Sequence, residues 1–370
     1  MRFRHPDGST VHLAYCTNVH PAEDLPGIHA QLTGFAARVR DLLGVDRLGI
    51  GLWLPHEAAR SLITDAAELV RLRALLSRLG LEVVTLNGFP YRGFHHEVVK
   101  YRVYFPDWTS RERVRYTLDL AEILARLLPD DVTEGTISTL PLTWRTEWTA
   151  DSAATAMANV DAVAEGLRVL ADRTGKLIRL GFEPEPGCIV ETTAQAAWLL
   201  RDVDRDHLGV CLDACHLAVG FEPAANAAEL RLPIVKFQAS CALESPPGSQ
   251  AVLAAFDENR FLHQTRAASG AVDDLDAALA GALPTEETWR VHFHMPLHIT
   301  PPPPLTTTAP YLKELLRALL GGGSPLTRHV EVETYTWNVL PAAPVDLAEG
   351  IAAELDWTRR ELAVLGLKEL

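Results

Sequence analysis

The chain has 370 residues, 48% of them hydrophobic, and a formal net charge of −14 at pH 7. That length and apolar content allow a large core, while the acidity argues against nucleic acid or an anionic membrane as partner, since phosphate binding rests on clustered Lys and Arg. Five cysteines without a C-x-x-C pair (Cys16, Cys188, Cys211, Cys215, Cys241) speak against a disulfide scaffold. The start, Met1-Arg2-Phe3-Arg4-His5, has no apolar signal core, so a cytoplasmic protein is expected.

Short apolar runs bounded by turn residues predict strands at Val11–Thr17, Arg47–Leu54, Glu82–Asn87, Thr133–Leu140, Leu177–Glu183, Gly209–Asp213, Ile234–Ser240 and His329–Thr334. Segments with helical spacing of apolar residues lie between them. Ile28–Leu43 has Asp24 upstream as an N-cap, and Ala58–Leu79 stops at Gly80, a C-cap glycine. Arg111–Leu128, Ala153–Thr174, Ala194–Val203, Ala224–Leu230, Tyr311–Leu320 and Val345–Leu365 complete the helices. The alternation predicts an α/β fold, a (β/α)8 TIM barrel forming one domain over residues 1–370. A doubly wound open sheet is the rival, but Ala14-Tyr15-Cys16-Thr17-Asn18 shows no glycine-rich first turn.

Two connections are long. Asn87–Ser110 carries Phe89, Tyr91, Phe94, His95, His96, Tyr101, Tyr104 and Trp108. The second, an insertion between strands seven and eight at about residues 241–328, holds the run Pro301–Pro304 and the alternating Arg290–His298. Long loops at a barrel mouth are commonly lids or substrate walls. The alternation predicts an extra strand and offers a rival to Ile234–Ser240 as the seventh.

In a parallel barrel every strand delivers its last residues to one face, and three strands end in acids. Period-two alternation points Glu183 toward the axis, with Glu185 facing the same way and Pro184 and Pro186 stiffening the turn. Asp213 ends the sixth strand with His216 three residues on, Gln238 sits at the end of the seventh, and Glu331 and Glu333 alternate along the eighth. Several carboxylates around one pocket repel unless compensated, and a divalent cation compensates them directly. The set Glu183, Asp213, Gln238 and Glu333 suits Mn2+, Mg2+, Co2+ or Zn2+. Shared protons between carboxyl pairs are the metal-free alternative.

Glu at strand five, Asp-x-x-His at strand six, a polar residue at strand seven and Glu at strand eight resemble the xylose-isomerase-like TIM-barrel superfamily of sugar isomerases, epimerases and endonuclease-IV-type enzymes. The resemblance implies that Glu183, Asp213 and Glu333 are metal ligands and that His216 contacts substrate. Where the superfamily often has His at strand seven this chain has Gln238, so either Gln238 serves or His292, His294 or His263 swings in from the insertion. Tyr15-Cys16-Thr17-Asn18-Val19-His20-Pro21, Asn87-Gly88-Phe89-Pro90-Tyr91, Ile137–Leu142, Glu183–Cys188, Leu212–His216 and Lys236–Ser240 resemble more closely the EboE-type "metabolite traffic" family.

The expected activity is that of a metal-dependent isomerase or epimerase on a polyhydroxylated or prenylated metabolite. Glu183 and Glu333 would be the acid/base pair, with Glu185, His216, Asn87, His292, His294 and Trp53 about the substrate and Phe89, Tyr91 and Trp144 covering a ring face. A metal-dependent hydrolase or phosphodiesterase with several ions, drawing on His95 and His96, is the second expectation. A carrier that hands a metabolite to a membrane-protein partner is the third, and oligomerisation through the insertion fits any of them.

Overall fold

The structure, a computed structural model, describes residues 1–341 and 346–370. Eight strands run parallel and in sequence order: β1 (Thr10–Cys16), β2 (Leu48–Trp53), β3 (Leu81–Asn87), β4 (Glu134–Thr139), β5 (Leu177–Phe182), β6 (Leu208–Asp213), β7 (Ile234–Ala239) and β8 (His329–Val332). β8 pairs with β1 from His329↔His12 to Val332↔Tyr15, which closes the barrel. All residues of β2, β3, β6 and β7 are buried, as expected for strands covered on both faces. Two short antiparallel strands, Arg2–Arg4 and Lys368–Glu369, extend the sheet beyond β1.

The helices follow the apolar spacing with two corrections. The run predicted as one helix over Ala58–Leu79 is two, His56–Thr64 and Ala66–Arg78. Asp65 between them is extended and its carboxylate accepts from Ala67 N, so a residue that prefers a cap to a helix interior divides the run. Within the predicted Ile28–Leu43 helix the turn Leu32–Ala36 is wound as a π-helix; the stretch begins after Asp24, which accepts from Gly27 N as an N-cap. Of the predicted Val345–Leu365 helix, Leu347–Val364 is helical and Val345 lies outside the described residues.

Between β7 and β8 the chain builds a five-stranded antiparallel sheet in the order Gly270–Val272, Thr265–Ala267, Trp289–Val291, Leu243–Ser245, Thr306–Thr307. The strand foreseen in Arg290–His298 is Trp289–Val291, and it pairs only within this small sheet. Ile234–Ala239 is therefore the seventh barrel strand, and Trp289–Val291 is no rival to it.

Two buried acids hold the scaffold under the mouth. Inside the barrel, Lys236 Nζ lies 2.5 Å from Glu331 Oε2, with both side chains fully buried. Burial is the largest influence on Lys236 and lowers its pKa, but Glu331 together with Cys211 and Cys16 raises it overall, so the ammonium stays charged. A Cβ on Gly51 would come within 1.2 Å of Glu331 Oε1, so only glycine leaves room for this pair. Glu354, on the last helix, accepts from Leu297 N at 3.1 Å, Thr334 Oγ1 at 2.6 Å and Trp337 Nε1 at 2.9 Å. It thereby ties the insertion to the segment after β8.

Gly51→Ala is expected to destabilise the chain by about 1–3 kcal/mol in denaturant unfolding, the scale of overpacking in a close-packed interior. Glu354→Gln leaves one of three donors facing an amide NH2 and should cost about 1–3 kcal/mol. Burial pushes Glu354 from 4.5 up to about 7 despite the hydrogen bonds that pull it down. Across that window the folded chain keeps a proton that the unfolded chain releases, so the carboxyl's contribution to stability falls as pH rises. The stability gap between parent and Glu354→Gln should accordingly narrow from pH 5 to pH 8.

Candidate functional site

Glu183 directly follows β5, and its amide continues the ladder by donating to Thr139 O at 2.9 Å. Asp213 is the last residue of β6, and Glu333 directly follows β8 with its amide donating to Ala239 O at 3.3 Å. Each of the three offers an oxygen within 4.8 Å of the other two. They are 3%, 0% and 5% exposed, so water does little to screen their charges. Burial first, then the neighbouring Glu333 and Asp213, push Glu183 well above the carboxylate range; burial and then Asp213 push Glu333 to about 8.

The local partners arrange these acids for further contacts. Ser240 Oγ donates to Asp213, whose two oxygens both stand 2.9 Å away, and Asp213 Oδ1 caps the helix Ala214–Val219 by accepting from His216 N at 2.9 Å. Asn18 Nδ2 and Asn87 Nδ2 both donate to Glu333 Oε1, at 2.7 and 3.0 Å. Glu183 Oε2 and both amide atoms of Gln238 are buried without a partner. Oxygens sharing a divalent ion at about 2.1 Å stand at most roughly 4.2 Å apart, so a small closure of the trio suffices to hold one. An unpartnered carboxylate oxygen and repelling neighbours are the features such an ion would satisfy, whereas Gln238 is outside the pocket lining.

A second donor set adjoins the first. His292 and His294 reach the pocket from the insertion, and His292 Nε2 lies 3.1 Å from His216 Nε2 and 3.2 Å from His294 Nε2. Each ring's Nδ1 faces an oxygen that can only accept: Pro184 O at 3.0 Å for His216, Gln264 Oε1 at 2.7 Å for His292 and Glu333 O at 2.9 Å for His294. The Gln264 orientation is fixed because its Nε2 donates to Tyr104 Oη and Pro186 O. Nδ1 therefore carries the proton in all three neutral rings, and the Nε2 lone pairs meet. Burial holds all three below the ordinary imidazole pKa, His216 at about 4, which disfavours a shared proton. The spacing of 3.1–3.2 Å is close to that of two nitrogens about 2.0–2.1 Å from one tetrahedral ion. Asp213 belongs to both sets, as a donor with Glu183 and Glu333 and again with His216 and His294.

Other expected residues stand elsewhere. Trp53 is outside the lining, its Nε1 donating to Pro90 O and its ring packed against Phe94. Tyr91 stacks on His56, and Trp144 packs against Tyr104 behind the wall, so Phe89 alone of the foreseen ring-covering aromatics lines the pocket. His263 bonds His292 O and Glu258, His95 bonds Asn18 O, and His96 is exposed. Glu185 lines the pocket beside His216 and His292 instead of joining the trio; Tyr104 Oη donates to it at 2.6 Å, and burial raises it to about 8. Sequence reasoning missed Asn18, Gln264 and Tyr335, and it placed Tyr104 only among the aromatics of the third-strand loop. Asn18 stands just beyond the end of β1, where the strand-end rule could have found it, whereas Gln264 lies deep in the insertion and gives no local signal.

Residues 37–260 match the family described as xylose isomerase-like TIM barrel, and the chain belongs to that family. Among solved structures it is similar to a D-tagatose 3-epimerase-like protein, with a TM-score of 0.52, 13% identity and coverage of 96% of this chain and 98% of that one. L-ribulose 3-epimerase gives a TM-score of 0.52 at 13% identity over 96% of this chain and 95% of that one. The IOLI protein with a binding zinc atom gives 0.50 at 16% identity over 95% and 98%. At these identities the likeness is one of fold. The sequence matches no curated protein. Among the described residues no helix is long and apolar enough to cross a membrane.

Chelator-treated protein is expected to regain divalent metal, read by elemental analysis after dialysis, with a rise in Tm. Asp213→Asn, which alters both donor sets, should weaken binding by more than about tenfold, the scale reached even by outer partners of metal ligands. Equal metal content in parent and variant would exclude Asp213 from the centre.

Proposed function

We propose that this chain is a divalent-metal-dependent isomerase or epimerase acting on a sugar derivative, with Glu183 and Glu333 as its acid/base pair. The observation that carries this reading is the buried trio, in which two carboxyls from strand ends three apart in barrel order face one pocket with proton affinities raised toward neutrality. Isomerisation and epimerisation next to a carbonyl both need a base that takes a proton from carbon and an acid that returns one. Glu183, Asp213 and Glu333 would hold a divalent ion, and that ion would supply Lewis acidity toward a substrate oxygen.

The chain's own residues do the rest. Asn18 and Asn87 hold Glu333 Oε1, which fixes the carboxyl plane and leaves Oε2 as the atom for proton transfer. Pro184 and Pro186 flank Glu185 and limit how the turn can relax away from the pocket. Glu185, held by Tyr104, is placed to bond a substrate hydroxyl. The epimerases among the structural neighbours support the assignment as analogues of fold, and the sequence motifs around Asn18, Asn87 and Glu183 support the finer EboE-type reading.

The imidazole set favours a second reading, a hydrolase working through more than one ion. Elemental analysis separates the two: one equivalent per chain supports the isomerase, two or more the hydrolase. On a confirmed substrate, Glu333→Gln should lower kcat by about 10²–10⁴-fold while bound metal remains measurable. Unchanged turnover would remove Glu333 from the acid/base role.

A further inference from the structure

The pocket above the acids is divided by chemistry. Its floor holds the carboxylates and imidazoles, while its walls are Phe89, Phe94, Val99, Val103, Phe261 and Leu262. Those walls come from the two long connections, which are zipped together where Val99 N and Lys100 N donate to Arg260 O at 2.8 and 2.9 Å. The rings form one cluster: Phe94 and Phe261 centroids are 5.2 Å apart, and Tyr335 lies 5.3 Å from the first and 4.8 Å from the second.

The polar groups near the walls are already engaged. Tyr104 Oη donates to Glu185 and accepts from Gln264, and the Lys100 ammonium pairs with Asp274. Unmatched polar atoms occur at the floor, as Glu183 Oε2 and Asn18 Oδ1. The Nε2 atoms of His216 and His294 converge there on that of His292, which also meets the Tyr335 hydroxyl at 3.3 Å. A ligand's oxygens therefore find partners at its inner end and apolar contacts along its body. A free pentose or hexose, hydroxylated on nearly every carbon, would bury hydroxyls against Phe and Val without acceptors or donors.

We infer that the substrate is amphipathic: a head with two neighbouring oxygens that reach the floor, joined to an apolar body, best an aryl group, that fills the aromatic walls. This rests on the isomerase/epimerase reading and narrows its sugar derivative to one carrying an apolar substituent. Five rings line the pocket, Phe94, Phe261 and Tyr335 in one cluster and Phe89 with Tyr104 in another, and their faces and edges suit a planar body.

The test uses two hydroxamates with the same chelating head, acetohydroxamate and benzohydroxamate, titrated calorimetrically into the full chain loaded with Zn2+ and checked for metal by elemental analysis. Benzohydroxamate should bind at least about tenfold tighter, and Phe261→Ser should reduce that ratio to below about threefold. Acetohydroxamate engages only the floor, so its unchanged affinity reports that the variant is folded. Equal affinities in the parent chain, or failure of both probes on metal-loaded protein, would overturn the substrate class and leave the metal centre standing. Failure to retain Zn2+ at all would instead remove the metal-dependent reading, and the substrate class with it.

Discussion

Three carboxyls buried within 4.8 Å of one another set the central constraint on this molecule. Two full charges at that range repel by roughly 3–4 kcal/mol at an effective dielectric of 20, so the apo site must keep protons or take up a cation. The Lys236–Glu331 pair lies beneath them in the dry interior and does not resolve the conflict, because Glu331 adds one negative charge for the positive charge of Lys236. The pair's place is nevertheless informative. It lies fully buried inside the barrel and requires Gly51 opposite. The repulsion is held at the mouth, where a ligand can meet it.

The insertion contributes to this site by a short alternation. Phe293 is fully buried, stacked on His263 at 4.9 Å and edge-on to Phe256 at 5.3 Å. With Phe293 anchored inside the insertion, both flanking histidines turn to the other side and enter the pocket. Glu354 then fixes the continuing chain at Leu297 and the β8 end at Thr334, one residue past Glu333. The histidines and the carboxylates come from distant segments, and Glu354 joins the His294–Glu333 and Thr336–His294 hydrogen bonds in tying those segments together.

The barrel was legible in the sequence because parallel strands buried on both faces read as short apolar runs, and the observed strand ends differ from the expected ones by one or two residues. The acids at those ends were legible for the same reason: strand direction alone brings Glu183, Asp213 and Glu333 to one rim. What could not be read depended on long-range packing. The break at Asp65 turns on whether a cap outcompetes one more helical turn, and local spacing is silent on that. Gln264 has no neighbouring motif, and its role in fixing the His292 tautomer follows only from its bonds to Tyr104 and Pro186. The roles expected of Trp53, Tyr91 and Trp144 were inferred from residue type, and all three rings lie outside the lining, packed against Phe94, His56 and Tyr104.

The two donor sets are not equivalent electrostatically. The carboxylate trio would gain most from a cation, since an ion there would remove repulsion and release protons whose affinity burial and the neighbouring carboxylates raise. The imidazole set is neutral, so an ion there gains lone-pair ligation but brings charge into a dry pocket, offset only through the shared Asp213 and the nearby Glu185. A first ion in the trio also occupies Asp213 and lowers what remains for the second. Charge and geometry together rank the carboxylate position ahead of the histidine position as the place a first divalent ion would bind.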